Sequence, residues 1–123
     1  MDEINLEELF DFGIIESLKE LDEPGEESFF AELIGVYMEQ SPGLIKDIND
    51  SYKAGNAEQM GKAAHTLKGS SLNIGCRKFS EICKELEAQG KSNDLVDTDK
   101  LLENLDIYYL ITIKELKKIA GIS

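Results

Sequence analysis

Apolar residues recur three and four positions apart along nearly the whole of this 123-residue chain, and that period is what most restricts its fold. One face of an α-helix carries positions i, i+3, i+4 and i+7, whereas a half-buried strand alternates every second residue. Leu6, Leu9, Phe10, Ile14, Leu18 and Leu21 make a first stripe, which predicts an N-terminal helix over about 4–21. The stretch DEPGEE interrupts it, and Pro24 stands where a helix can begin. Phe29, Phe30, Leu33, Ile34, Tyr37 and Met38 make a second stripe, which Leu44, Ile45, Ile48 and Tyr52 resume beyond SPG at 41–43. Pro42 has no N–H for the preceding turn, so a kink or an interruption is expected there, with Gly55 as the C-terminal stop.

Asn56 followed by Gln59 reads as a capping box. It predicts a third helix over about 57–73, with Met60, Ala64, Leu67 and Ser71 facing inward and Asn73 to Gly75 breaking it. A fourth helix is expected over about 76–89, with Phe79, Ile82, Cys83 and Leu86 inward and Gly90 ending it. KSNDLVDTD is a polar loop, and a last helix over about 95–119 carries Leu101, Leu105, Tyr108, Thr112, Leu116 and Ile119 on one stripe. Tyr108 to Ile113 is β-prone in isolation, but the helical spacing runs through it. Short loops between amphipathic helices make sequence neighbours antiparallel. The expectation is therefore an all-α chain forming one domain over 1–123, its bundle core over about 26–119.

The charge balance narrows the partners. Lys and Arg number 13 against 25 Asp and Glu, a net −12. Nucleic acid needs a dominant basic face, so it is excluded as main partner, and the charge favours a soluble monomer. Cys76 and Cys83, if on one helix, stand about 10 Å apart along its axis, beyond the roughly 7 Å a disulfide spans. They read as buried thiols in a reducing compartment. The N-terminal MDEINLEELF has neither the basic segment nor the apolar run of a signal peptide, and LDIYYLITI is too short to cross a bilayer. A cytoplasmic location is expected.

The stretch AAHTLKGSSLNIG holds His65, the only histidine. On a helix His65 has Gly61 and Gly69 four residues to either side and Lys62 and Lys68 three residues to either side. The inward stripe runs through Ala64, Leu67 and Ser71, so His65 lies off the core. A glycine inside a helix costs about 1 kcal/mol relative to alanine. Two of them beside one imidazole clear room for a bulky group or a partner. No Asp or Glu occurs from Gln59 to Ser80, where Lys62, Lys68, Arg77 and Lys78 stand. That local basic surface suits an anion or an acidic partner. A neutral imidazole is also a competent nucleophile near pH 7, so the anion could be covalent. No G-x-x-x-x-G-K-[ST] loop is present, and a lone histidine does not make a zinc site without other ligands at suitable spacing, so no metal is expected.

HTLKGSSLNIG followed by CRKFSEICKELE resembles the histidine phosphotransfer (HPt) domain family of multistep phosphorelays. The resemblance rests on His65, Lys68, Gly69, Ser70, Ser71, Gly75, Cys83, Leu86 and Glu87, with FFAELIGVYMEQSPGLIKDI similar to the family's second helix, and it covers most of residues 27–90. It implies an antiparallel four-helix bundle with an additional N-terminal helix. It implies that His65 carries the phosphoryl group on Nε2, that Lys68 stabilises that group and that Gly69 leaves clearance for it. Family members place a glutamine on the neighbouring helix against the imidazole, and Glu87 is the nearest candidate here. The implied partners are response-regulator receiver domains, which would contribute an acidic pocket and Mg²⁺, and a hybrid sensor histidine kinase. Gly61, Lys62, Leu72, Arg77 and Lys78 are the expected partner-binding residues. The chain would then be a phosphocarrier with no cofactor of its own, free-standing or part of a larger hybrid kinase. The competing reading is a noncatalytic adaptor docking a signalling partner through an apolar rim of Met60, Leu72 and Ile74 around His65.

Overall fold

A computed structural model describes residues 5–122, and every regular element among them is an α-helix. In chain order these are α1 (Leu6–Leu9), α2 (Phe12–Lys19), α3 (Phe29–Lys53), α4 (Ala57–Asn73), α5 (Arg77–Ser92) and α6 (Thr98–Ala120). The last four form the bundle. α4 packs most extensively on α5 and then on α3, α6 packs on α5, and α6 returns to α3. Cross-links show the antiparallel order: Tyr37 meets Ser71 while Asp47 meets Gln59, and His65 meets Glu87 while Gly61 meets Gly90.

The stripes meet along the bundle axis. Phe30, Ile34 and Ile48 from α3, Met60, Ala64 and Leu67 from α4, Phe79, Cys83 and Leu86 from α5, and Leu105 and Leu116 from α6 are all fully buried. Each large side chain removed from water contributes roughly 1.5–3 kcal/mol. Both cysteines are free and buried; burial raises both thiols, Cys83 to about 12, so they stay protonated and inert. Among the described residues no helix is long and apolar enough to cross a membrane.

Several boundaries differ from expectation. The N-terminal helix is two short helices, broken at Phe10 and Asp11, and its expected start at residue 4 lies outside the described residues. Asp11 causes the break: its side chain accepts from Ile14 N at 3.3 Å to start α2, while its own N–H donates to Gly75 O at 2.8 Å. Only Leu9, Phe10 and Ile15 of this segment are buried, and Leu21 is exposed. Pro24 starts no helix; α3 begins at Phe29, where Ser28 Oγ accepts from Ala31 N at 3.1 Å.

Pro42 neither ends nor interrupts α3, which runs 25 residues through it. Neighbouring Ser41 Oγ donates to Tyr37 O at 2.6 Å and lies 2.6 Å from the phenolic Oη of Tyr109, which ties this turn to α6. Gly90 does not end α5. The helix continues to Ser92 and stops at Asn93, which takes the left-handed conformation at φ 54°. In α6 the start is Thr98 rather than 95, Leu102 is buried where Leu101 was expected to be, and Tyr108 and Ile119 are only partly covered.

Candidate functional site

α4 is set by its first cap, where Asn56 Oδ1 accepts from Gln59 N at 3.1 Å. Its inward face, Met60, Ala64, Leu67 and Ser71, is buried against the other helices. That phase leaves His65 on the flank toward α5 with its imidazole 66% exposed. Nδ1 of the ring faces the bundle and lies 2.6 Å from Oε2 of Glu87 on α5.

The Glu87 side chain is only 6% exposed, and it is shared. Lys68 Nζ donates to its Oε1 at 2.5 Å, and Lys91 Nζ lies 3.3 Å from Oε2. The hydrogen bond from Lys68, then those from His65 and Lys91, hold the carboxyl down at about 2 against the upward push of burial. Glu87 is thus ionised and can only accept. Nδ1 of a neutral His65 must then carry the ring's proton, which leaves the lone pair on Nε2, the outward nitrogen.

Gly61 and Gly90 let α4 and α5 approach closely. A Cβ on Gly90 would stand 2.5 Å from Gly61 Cα and 2.6 Å from Ala57 O, and one on Gly61 would stand 3.2 Å from Gly90 Cα. Gly61 is therefore a buried packing glycine that offers no side chain; its backbone and that of Gly90 line the floor of the groove beside His65. Gly69 differs: a Cβ there would meet nothing within 4 Å, so the space beside the ring is open on that side. Above the Gly61–Gly90 contact runs a groove of about 500 Å³, lined by Glu58, Lys62, His65, Thr66, Glu87 and Lys91.

The other expected partner contacts separate. Lys62 lies on the groove, paired with Glu58 at 3.1 Å. Leu72, two turns beyond His65, is 45% exposed. Arg77 and Lys78 sit at the opposite end of α5, about 15 Å along its axis from Glu87. Arg77 faces the N-terminal segment, at 3.7 Å from Asp11 and 3.2 Å from Glu7 O, and Lys78 lies 5.6 Å from the Tyr108 ring. The local basic surface is in fact a cluster of His65, Lys68 and Lys91 around one carboxylate. Lys91 lay outside the acid-free window and was missed; its place one turn after Glu87 was the available signal. Met60 and Ile74 are buried, which reduces the expected apolar rim to Leu72. Among the described residues no three His, Cys, Asp or Glu side chains are grouped to hold a metal.

The family model for the Hpt domain matches residues 32–119, which takes in α4, α5 and nearly all of α3 and α6. The chain belongs to the Hpt domain family. Among curated relatives, multistep phosphorelay regulator 1 of Schizosaccharomyces pombe is 28% identical over 83 residues, 68% of this chain and 28% of that protein. Histidine-containing phosphotransfer protein 2 of Arabidopsis thaliana is 25% identical over 95 residues, 75% of this chain and 61% of that one. The chain thus spans less than two thirds of the length of either. Two solved structures share the Hpt fold. Histidine-containing phosphotransfer protein B of Pseudomonas aeruginosa superposes with a TM-score of 0.81 at 24% identity, covering 91% of this chain and 94% of that one. MtHPt2 of Medicago truncatula gives 0.80 at 19% identity, covering 94% and 79%.

Proposed function

We propose that this Hpt domain is a phosphocarrier: His65 accepts a phosphoryl group from a phospho-aspartate of one receiver domain and passes it to another. The observation that carries this reading is the orientation of the ring, with Nδ1 tied to Glu87 at 2.6 Å and the imidazole 66% exposed. Membership of the Hpt family supports the same chemistry. Nε2 attacks phosphorus in line with the departing aspartate oxygen; the Nε2–P bond forms as the P–O bond breaks. Lys68 swings from Glu87 to the transferred oxygens, and Gly69 leaves them room. Work of this kind is positioning and charge neutralisation, and the Mg²⁺ that assists it belongs to the receiver.

The docking face consists of the groove beside His65 with Lys62, Lys91 and Leu72. Arg77 and Lys78 lie too far along α5 to touch a group on the ring and can meet only the edge of a large partner. The partners are receiver domains, that of a hybrid sensor histidine kinase among them. The carrier works in the cytoplasm as a monomer, since a net charge of −12 opposes self-association and nucleic-acid binding alike.

Incubation with a phosphorylated receiver tests the assignment. The wild-type chain is expected to take up an acid-labile label, and His65→Gln is expected to fold normally and take up none. A label that persists on His65→Gln would overturn it.

A further inference from the structure

Three groups converge on one carboxylate: His65 Nδ1 at 2.6 Å and Lys91 Nζ at 3.3 Å on Oε2, and Lys68 Nζ at 2.5 Å on Oε1. A glutamine here could accept the same bond from the ring but would carry no charge. The charge matters most once the ring is loaded. We propose that the negative charge of Glu87 is a release device: it keeps the proton on Nδ1 of phosphorylated His65, so that the phosphoryl group departs from a cationic ring. This rests on the phosphocarrier reading and specifies how the loaded state discharges.

In the empty site the neutral ring holds a proton on Nδ1 and a lone pair on Nε2. Loading forms Nε2–P, breaks the donor's P–O bond and frees the donor aspartate as a carboxylate. The ring is then cationic, with its Nδ1 proton unmoved. On discharge a receiver carboxylate oxygen attacks phosphorus, the Nε2–P bond breaks, and its electron pair returns to Nε2. The ring is neutral again and no proton has crossed. A loaded ring that has lost its Nδ1 proton to water would have to leave as imidazolate, a poor leaving group, so transfer would wait for reprotonation. Glu87 opposes that loss.

The charged groups around the ring are consistent with this. From α5 they are Glu87 and Lys91; from α4 they are Glu58, Lys62 and Lys68. α3 reaches α4 with Asp47 at Gln59, six residues before the histidine. In the empty site Lys68 and Lys91 dilute the hold of the carboxylate on the ring. A phosphoryl dianion gives both lysines a second partner and returns the carboxylate to Nδ1. Glu87 is thus a positioning residue that acts through the proton it holds.

Phosphoramidate, a small-molecule donor to histidine, can load the wild-type chain and Glu87→Gln alike. ³¹P NMR then follows loss of the phosphoryl group to a receiver and to water from about pH 6 to about pH 10. Each profile is normalised to its own acid-side plateau, and the two should separate on the alkaline side. The falling limb of Glu87→Gln should lie about one pH unit or more lower, so that it discharges about tenfold more slowly there. Coinciding profiles throughout would overturn the proposal. A second measurement needs no variant: ¹⁵N NMR of the loaded wild-type chain should show Nδ1–H persisting about one unit or more above its loss in a phosphohistidine peptide. Loss at the same pH in both would also overturn it. The phosphocarrier reading fails separately, if the wild-type chain accepts nothing from phosphorylated receivers, because phosphoramidate still loads the ring.

Discussion

Gly69 stands one helical turn beyond His65 with open space where a side chain would begin. Nothing in the packing calls for glycine there, and its φ is that of an ordinary helix. Gly69→Ala should therefore stabilise the fold by about 0.5–1 kcal/mol, the helix-propensity gain. It should also slow phosphoryl uptake, because the methyl group fills clearance beside Nε2. Urea denaturation and a transfer time course check the two halves, and a variant that gains stability without losing rate would remove Gly69 from the site. Glu87 makes the other residue-scale prediction. Its carboxyl falls from an ordinary 4.5 to about 2 on folding, chiefly through the Lys68 hydrogen bond. A depressed carboxyl stabilises the fold fully above its unfolded value, and that contribution is lost as pH falls through the folded one. Denaturation midpoints should thus drop between about pH 4.5 and about pH 2, and Glu87→Gln should flatten the drop. A variant with an unchanged slope would show that other carboxyls carry it.

At the scale of elements, the contact between α4 and α5 builds the site. The Gly61–Gly90 approach brings Glu87 and Lys91 beside His65. Gly90→Ala places a methyl 2.5 Å from Gly61 Cα and 2.6 Å from Ala57 O, both backbone atoms with little freedom to yield. Overpacking of this kind costs about 1–3 kcal/mol, more than the gain of about 1 kcal/mol from replacing a helical glycine. Gly90→Ala should destabilise where Gly69→Ala stabilises, and the pair should be compared in one denaturation series. Equal or greater stability of Gly90→Ala would show that the two backbones are not this close. Periodicity located α4 and α5 correctly and put His65 off the core. It misread Gly90 as a stop because a glycine near a helix end looks the same whether it caps the chain or meets another backbone. At Pro42 the expected interruption is absent for a related reason. The local rule allows a kink or an interruption, and Ser41, bound to Tyr37 O and to the phenol of Tyr109, ties that turn to α6 while the helix runs on.

For the whole molecule, the N-terminal segment is the piece that the period described least well. It runs from the α4–α5 turn across the end of the bundle to α3 and α6, adding its buried side chains to the core. Leu9, Phe10 and Ile15 are buried, Asp11 N–H bonds to Gly75 O at 2.8 Å, and Lys19 Nζ reaches Ile119 O at 2.9 Å. Gly75 has φ +82°, and a Cβ there would stand 2.9 Å from Asp11 O and 3.0 Å from Ile15 Cγ1, so the docking depends on it. Removal of residues 1–20 should lower stability, because the burial of Leu9, Phe10 and Ile15, roughly 1.5–3 kcal/mol for each large side chain, is lost. Calorimetry should show the lower midpoint, while ³¹P uptake by the truncated chain below that midpoint should persist, since none of the groups around His65 is lost. An undiminished midpoint would mean that this segment covers the turn without stabilising it. The sequence by itself determined the helical class, the order of the four bundle helices and the position of His65, because period and local motif depend only on residues a few positions apart. Only the tertiary structure decided that Glu87 and Lys91 join His65, that Arg77 and Lys78 do not, and that two glycines form a contact, because those are meetings between helices whose relative phase and depth no single helix encodes.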